Sequence, residues 1–175
     1  MRFIVPADSH FFFETNLYFP LESLLKPGQE VSLFQDLKEC GVYNSWRKSD
    51  AIKKVCFNPL FAQLAHAVTK ERSIRFAFSL TLSPENREGC LDDLSSVKPT
   101  IGALLISENG SHFIHPNCPF SQIENISGYC LIIAYARDKS VYAFNPKDPN
   151  KHLLKNDGYA YGDHLKNETN PLLFS

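Results

Sequence analysis

Residues 129 to 146 constrain the fold more than any other stretch of this 175-residue chain. Tyr129-Cys130-Leu131-Ile132-Ile133-Ala134-Tyr135-Ala136 is almost wholly apolar, the composition of a strand covered on both faces. Val141-Tyr142-Ala143-Phe144-Asn145 is rich in β-formers. Arg137-Asp138-Lys139-Ser140 between them is polar and compatible with a turn. The pattern predicts a hairpin whose first strand is the central, buried strand of a sheet and whose second ends at Asn145-Pro146.

The flanking segments divide into helices and strands. Residues 1 to 35 are apolar and aromatic and are broken by Pro6, Pro20 and Pro27-Gly28, which predicts short strands and turns. Leu33, Phe34 and Leu37 predict a short helix over Val31–Cys40 that stops at Gly41, the residue type favoured just past a helix. Ser49-Asp50 caps a second helix through Cys56, and Asn58-Pro59 opens a third, with Asn at the cap and Pro at the first helical position. Leu60, Phe61, Leu64, Ala65 and Val68 form its apolar face. From Ile74 to Leu82 apolar and other residues alternate, predicting a half-buried strand with Ile74, Phe76, Phe78, Leu80 and Leu82 on one side. Ile101–Ser107 reads as a strand, and Asn109-Gly110 as a tight turn with positive φ angles leading into Ser111–His115. Residues 88 to 99 read as irregular, and Leu172-Leu173-Phe174 as an anchor for the C-terminus.

The predicted fold class is α+β: a mostly antiparallel sheet of about five strands with two or three short helices packed on one side. Length predicts a single domain over residues 1 to 175, with a loop-rich tail from about residue 147. The 14 Phe residues argue for a bulky core and against disorder.

Composition narrows function by exclusion. With 18 Lys and Arg against 19 Asp and Glu, no excess of positive charge drives binding to nucleic acid or anionic lipid. Arg47, Lys48, Lys53, Lys54, Lys70 and Arg72 read as solvated helix faces. The five Cys residues (Cys40, Cys56, Cys90, Cys118 and Cys130) are odd in number and lack C-x-x-C spacing, so neither a disulfide framework nor a structural zinc site is expected. No apolar run is long enough for a membrane span or a signal peptide. A cytoplasmic, thiol-reducing compartment follows, with export by a leaderless route left open. The sequons at Asn109, Asn125 and Asn167 read as chance matches. No phosphate-binding glycine motif or G-x-S-x-G is present. No cofactor is expected.

A few constellations carry chemistry. His112, His115 and Cys118 have the residue types of a metal site, yet positions three apart on a strand point to opposite faces, so no metal is expected. Neither Asp8, nor the Asp92-Asp93 pair, nor His152 with Asp163-His164 finds the partners that a nuclease or hydrolytic site needs. Arg75 with Tyr129, Tyr135 and Tyr142 could line a groove for a protein partner. Two segments resemble papain-like cysteine hydrolases: Asn44-Ser45-Trp46, and the strand–turn–strand ending in Asn145. In that family a Cys precedes the Trp and a His opens the strand; here Ser45 and Cys130 stand in those places. The resemblance implies either an inactive copy or a different residue set, with Cys40, Cys130, His112, His115 and Asn145 as candidates. The leading expectation is therefore a macromolecule-binding accessory, immunity-type or effector-type protein, with a Cys/His hydrolase or transferase as the alternative.

Overall fold

The computed structural model describes residues 6–21, 24–26, 28–85, 94–123, 126–147 and 153–175. In chain order the elements are α1 (Ser9–Asn16), β1 (Tyr18–Leu21), α2 (Gln29–Glu39), α3 (Asp50–Cys56), α4 (Pro59–Thr69), β2 (Ile74–Leu82), β3 (Val97–Ser107), β4 (Gly110–Ile114), β5 (Cys130–Tyr142), α5 (Leu153–Asn156) and β6 (Leu172–Phe174). The α+β expectation holds: six antiparallel strands form a curled half-barrel with four helices, α1 to α4, and the one-turn α5 follows β5.

The helix starts follow from local chemistry. The Ser49 hydroxyl accepts the Ile52 amide at 3.0 Å, and Asn58 Oδ1 accepts that of Leu60 at 3.0 Å, each satisfying a donor that the first helical turn leaves unpaired. Gly41, just past α2, has φ +83°, a conformation that costs glycine little. Leu33, Leu37, Ile52, Phe61, Leu64 and Val68 bring the apolar stripes of α2, α3 and α4 to the sheet, each at most 2% exposed. Burial of such a side chain stabilises by about 1.5–3 kcal/mol. The helix α1 replaces a predicted strand. Its Phe11-Phe12-Phe13 run has no helical periodicity, and only Phe13 and Ser9 are buried.

The sheet order is β1-β4-β3-β5-β2-β6. β5 is indeed central, paired with β3 on one side and β2 on the other. The predicted hairpin, however, is one 13-residue strand without a turn. Its polar stretch stays extended because Arg137, Asp138 and Ser140 each find a partner. Arg137 ion-pairs with Glu71, Asp138 with Arg75, and the Ser140 hydroxyl donates to the Pro99 carbonyl at 2.8 Å. Val97 and Lys98 pair with Tyr142 and Val141, which extends β3 four residues ahead of the predicted Ile101.

β2 also departs from expectation. All nine of its residues are buried, so both faces are covered. The register slips at Ala77, between the Phe76–Tyr135 and Phe78–Ala134 pairs. An extra residue in one strand turns later side chains to the other face. Ile74 and Phe76 thus join the core under the helices, while Phe78, Leu80 and Leu82 join the core on the far side. The β3–β4 hairpin forms with Ser107 opposite Gly110, but neither Asn109 nor Gly110 takes a positive φ. β6 pairs with the edge of β2, as the apolar Leu172-Leu173-Phe174 suggests. Among the described residues no helix is long and apolar enough to cross a membrane.

Candidate functional site: a groove beside a filled sheet

Register lays out what each face of the sheet offers. On the face away from the helices one row runs Pro20, His112, Leu105, Ile132, Leu80, and the next runs Tyr18, Ile114, Ala103, Ala134, Phe78. Leu154, Tyr159, Leu165, Cys118 and Ile123 belong to the apolar core on this face. His112 is the titratable side chain in these rows apart from the Tyr18 phenol. It is 8% exposed, its ring centroid lies 6.1 Å from that of Tyr18, and its Nδ1 has no hydrogen-bond partner. Burial drives its pKa below the ordinary imidazole value, because the charged ring loses hydration that nothing replaces.

The sequence-derived candidates fall in separate places. His115 sits beyond β4, with its ring centroid 5.8 Å from that of Phe13 in the core under the helices, opposite to His112 as strand geometry requires. Cys130 shares the His112 face but lies two strands and two residues away, roughly 12 Å between Cα atoms at ordinary strand spacing and rise. Cys40 ends α2, and burial raises its thiol pKa with Asp36 adding to the effect. Asn145 Oδ1 accepts the Lys147 amide at 3.1 Å, closing a turn after β5. Tyr129 and Tyr135 pack under the helices, whereas Tyr142 lies on the far face with Arg75's neighbours, so these residues do not line one groove. His164 Nδ1 lies 3.1 Å from the Lys139 carbonyl, and Asp163 accepts the Ala160 amide. Cys90, Asp92, Asp93, Asn125 and His152 lie outside the described residues.

A polar cluster joins the C-terminal segment to the sheet. Arg75 Nη1 donates to Asn167 Oδ1 at 2.8 Å and to the Asn170 carbonyl at 2.6 Å, and Nη2 donates to Asp138 Oδ1 at 2.5 Å. Asn170 Nδ2 donates to the Ala77 carbonyl freed at the bulge. The Tyr159 hydroxyl donates to Asn170 Oδ1 at 2.7 Å and accepts the Lys166 amide at 2.7 Å.

Open space of ligand size lies elsewhere. Beside α2 a depression of about 510 Å³ is lined by Glu30, Val31, Phe34, Gln35, Lys38 and Glu108. A second, of about 360 Å³, continues under the β3–β4 turn along Leu21, Leu24, Leu25, Ile106 and Ser111. The two share Glu30 and Glu108. Volumes of 300–1,000 Å³ with apolar walls and few polar groups are those of small-molecule sites. Three segments far apart in sequence build this groove, and no motif announces it. The one local sign is that Phe34 follows Leu33 on α2, widening its apolar stripe toward the groove.

No protein-family model and no curated protein matches the sequence. Solved structures do match in fold. The non-heme alpha-ketoglutarate-dependent carbocyclase SnoK from nogalamycin biosynthesis superposes with a TM-score of 0.66 at 12% identity, covering 96% of each chain. The epimerase SnoN of the same biosynthesis gives 0.63 at 12% identity over 93% of each chain. CT296 from Chlamydia trachomatis gives 0.60 at 13% identity, covering 78% of this chain and 97% of its own. At such identities the likeness is one of fold.

This likeness overturns the functional expectation. The chain shares the fold of the alpha-ketoglutarate-dependent SnoK and SnoN, which is neither that of a papain-like hydrolase nor one that marks an accessory or effector-type binding protein. The papain-like segments have structural roles. Ser45 is 1% exposed with its hydroxyl 2.7 Å from that of Thr81, and Asn44 Oδ1 accepts the Ser79 amide at 3.1 Å. The epimerase SnoN has been solved with Fe3+ and alpha-ketoglutarate, and non-heme iron of that kind is held by two His and one carboxylate. The described residues do not fit that group. The sheet rows around His112 hold no second His and no carboxylate, and no three His, Cys, Asp or Glu among the described residues are placed to hold a metal ion.

Proposed function

We propose that this chain binds a small organic molecule on the oxygenase-like scaffold, in the groove between α2, Leu24-Leu25 and the β3–β4 turn. The observation that carries the reading is the pair of adjoining depressions of about 510 and 360 Å³ with shared Glu30 and Glu108. Leu24, Leu25, Phe34 and Ile106 supply apolar wall, and the two carboxylates with Lys38 supply polar contacts that orient a ligand. The fold shared with SnoK and SnoN supports a small-molecule ligand, since both belong to the biosynthesis of nogalamycin.

The test is an amide-resolved NMR titration with a library of small organic molecules that includes alpha-ketoglutarate. Expected shifts cluster on residues 24–26, 29–38 and 106–111, and Val31→Asp weakens the hits without loss of fold because Val31 is 72% exposed. Hits that scatter over the surface, or that cluster around His112 only when Fe(II) is present, would sink the reading.

A further inference from the structure

We infer that the face of the sheet away from the helices has exchanged a metal seat for a permanent plug made by the chain's own C-terminal segment. Two independent observations converge. The first is the donor set: across β1, β4, β3, β5 and β2 the rows around His112 read Pro, Leu, Ile, Leu and Tyr, Ile, Ala, Ala, Phe. An iron ion would find one imidazole there in an apolar wall. The second is occupancy. Leu154, Tyr159 and Leu165, each at most 5% exposed, are packed into this face.

The plug is locked by main-chain bonds as well as by packing. The Leu165 amide donates to the Ser140 carbonyl at 3.0 Å, Gly162 to Tyr142 at 2.8 Å, and Tyr142 in return to Asp163 at 2.9 Å. Arg75, 5% exposed, spends its guanidinium on Asp138, Asn167 and the Asn170 carbonyl. A buried Arg directed into an enzyme's interior is a ready grip for a carboxylate ligand. Here the chain itself supplies every acceptor at its Nη atoms. The segment therefore covers this face where Arg75 would otherwise grip a bound group, and its bonds run to the central strand at Ser140 and Tyr142.

Two measurements on the intact protein test this. Anaerobic Fe(II) with alpha-ketoglutarate, and Zn(II) or Ni(II) as air-stable probes, are added, and bound metal is measured after desalting together with the thermal midpoint. The expected result is far less than one metal per chain and an unchanged midpoint. One metal per chain with a raised midpoint overturns the inference, whether or not His112→Ala removes the metal. Hydrogen exchange reads the plug: the Gly162 and Leu165 amides are expected to exchange as slowly as those of Ile132 and Ala134. Fast exchange at Gly162 and Leu165, with the strand still protected, would show a face that opens, and would overturn the plug. Bound metal and exchange at Gly162 and Leu165 do not report on the groove beside α2, and a midpoint raised by alpha-ketoglutarate alone reports on that groove, so each outcome is separable from the ligand reading.

Discussion

Arg75→Met isolates what holds the C-terminal segment down. Methionine retains the apolar stem and removes three charge-assisted hydrogen bonds. Their loss is unequal. Asp138 is 47% exposed and returns to water, so that pair contributes only about 0–1 kcal/mol. Asn167 is exposed and also rehydrates. Asn170 is 2% exposed, and its carbonyl loses a 2.6 Å partner with no water to replace it. A buried acceptor left unsatisfied costs about 1–3 kcal/mol. Relief of the buried guanidinium, whose Nε has no partner, offsets part of this. A net destabilisation of about 1–3 kcal/mol is expected. Urea denaturation checks it: with a slope of about 2 kcal/mol/M the midpoint falls by about 0.5–1.5 M. The same variant speeds exchange at Gly162 and Leu165 more than at Ile132. A midpoint shift below about 0.3 M, with those amides still protected, would refute the argument that Arg75 anchors the segment.

Other perturbations probe other parts of the structure. In Gly102→Ala the new methyl would lie 2.6 Å from Phe113 Cε1 and 2.9 Å from the Ile114 carbonyl oxygen. Overpacking of this kind costs about 1–3 kcal/mol, read as a lower urea midpoint. Ser49→Ala loses the α3 cap and the bond to Asp36, and costs about 1–2 kcal/mol in the same assay. His112 has a pKa depressed by burial, so on acidification the unfolded chain takes up its proton first. Its stability contribution is intact above the ordinary value of 6.5 and is lost as pH falls through the folded pKa. His112→Phe should keep neutral-pH stability within about 1 kcal/mol and flatten the acid decline; some decline persists, because His115 is depressed as well. An unchanged acid profile would show that His112 titrates freely. Burial pushes the Cys56 thiol up to about 12, so iodoacetamide at pH 8 should leave it unlabelled in the native protein. Labelling of Cys56 before unfolding, detected by peptide mass spectrometry, would contradict its burial.

Much of the fold is legible because it rests on local chemistry. Ser49, Asn58-Pro59 and Gly41 act within a few residues of themselves, and each marks the boundary the sequence implies. β5 shows the limit. Arg137-Asp138-Lys139-Ser140 has turn composition, yet its partners Glu71, Arg75 and Pro99 lie dozens of residues away. Long-range pairing turns a polar tetrapeptide into strand, and no window of sequence contains it. Ala77 is the same lesson in register: a perfect alternation conceals a bulge that moves Phe78, Leu80 and Leu82 to the other core. The groove was the least legible feature, since Leu24, Phe34 and Glu108 share no motif and meet only when α2 comes to rest beside the β3–β4 turn.

The fold likeness and the donor set point in different directions, and the physical argument favours the donor set on chemistry. A curled antiparallel sheet is a way to pack two apolar faces, and it covers 96% of both this chain and SnoK at 12% identity. Packing of that kind demands volume and alternation, which many sequences satisfy. A metal seat demands particular donors at particular register positions. Around His112 those positions carry Leu105, Ile132, Ala103 and Ala134, side chains that offer no lone pair. Arg75, the buried cation on that face, is neutralised by Asp138 and satisfied by Asn167 and Asn170. The Nη atoms of Arg75 are thus taken up by the chain itself. Glu30, Glu108 and Lys38 line open space next to apolar wall. Binding should follow that difference: a substitution at Phe34 or Glu108 should alter ligand capture, and one at His112 should alter only acid stability.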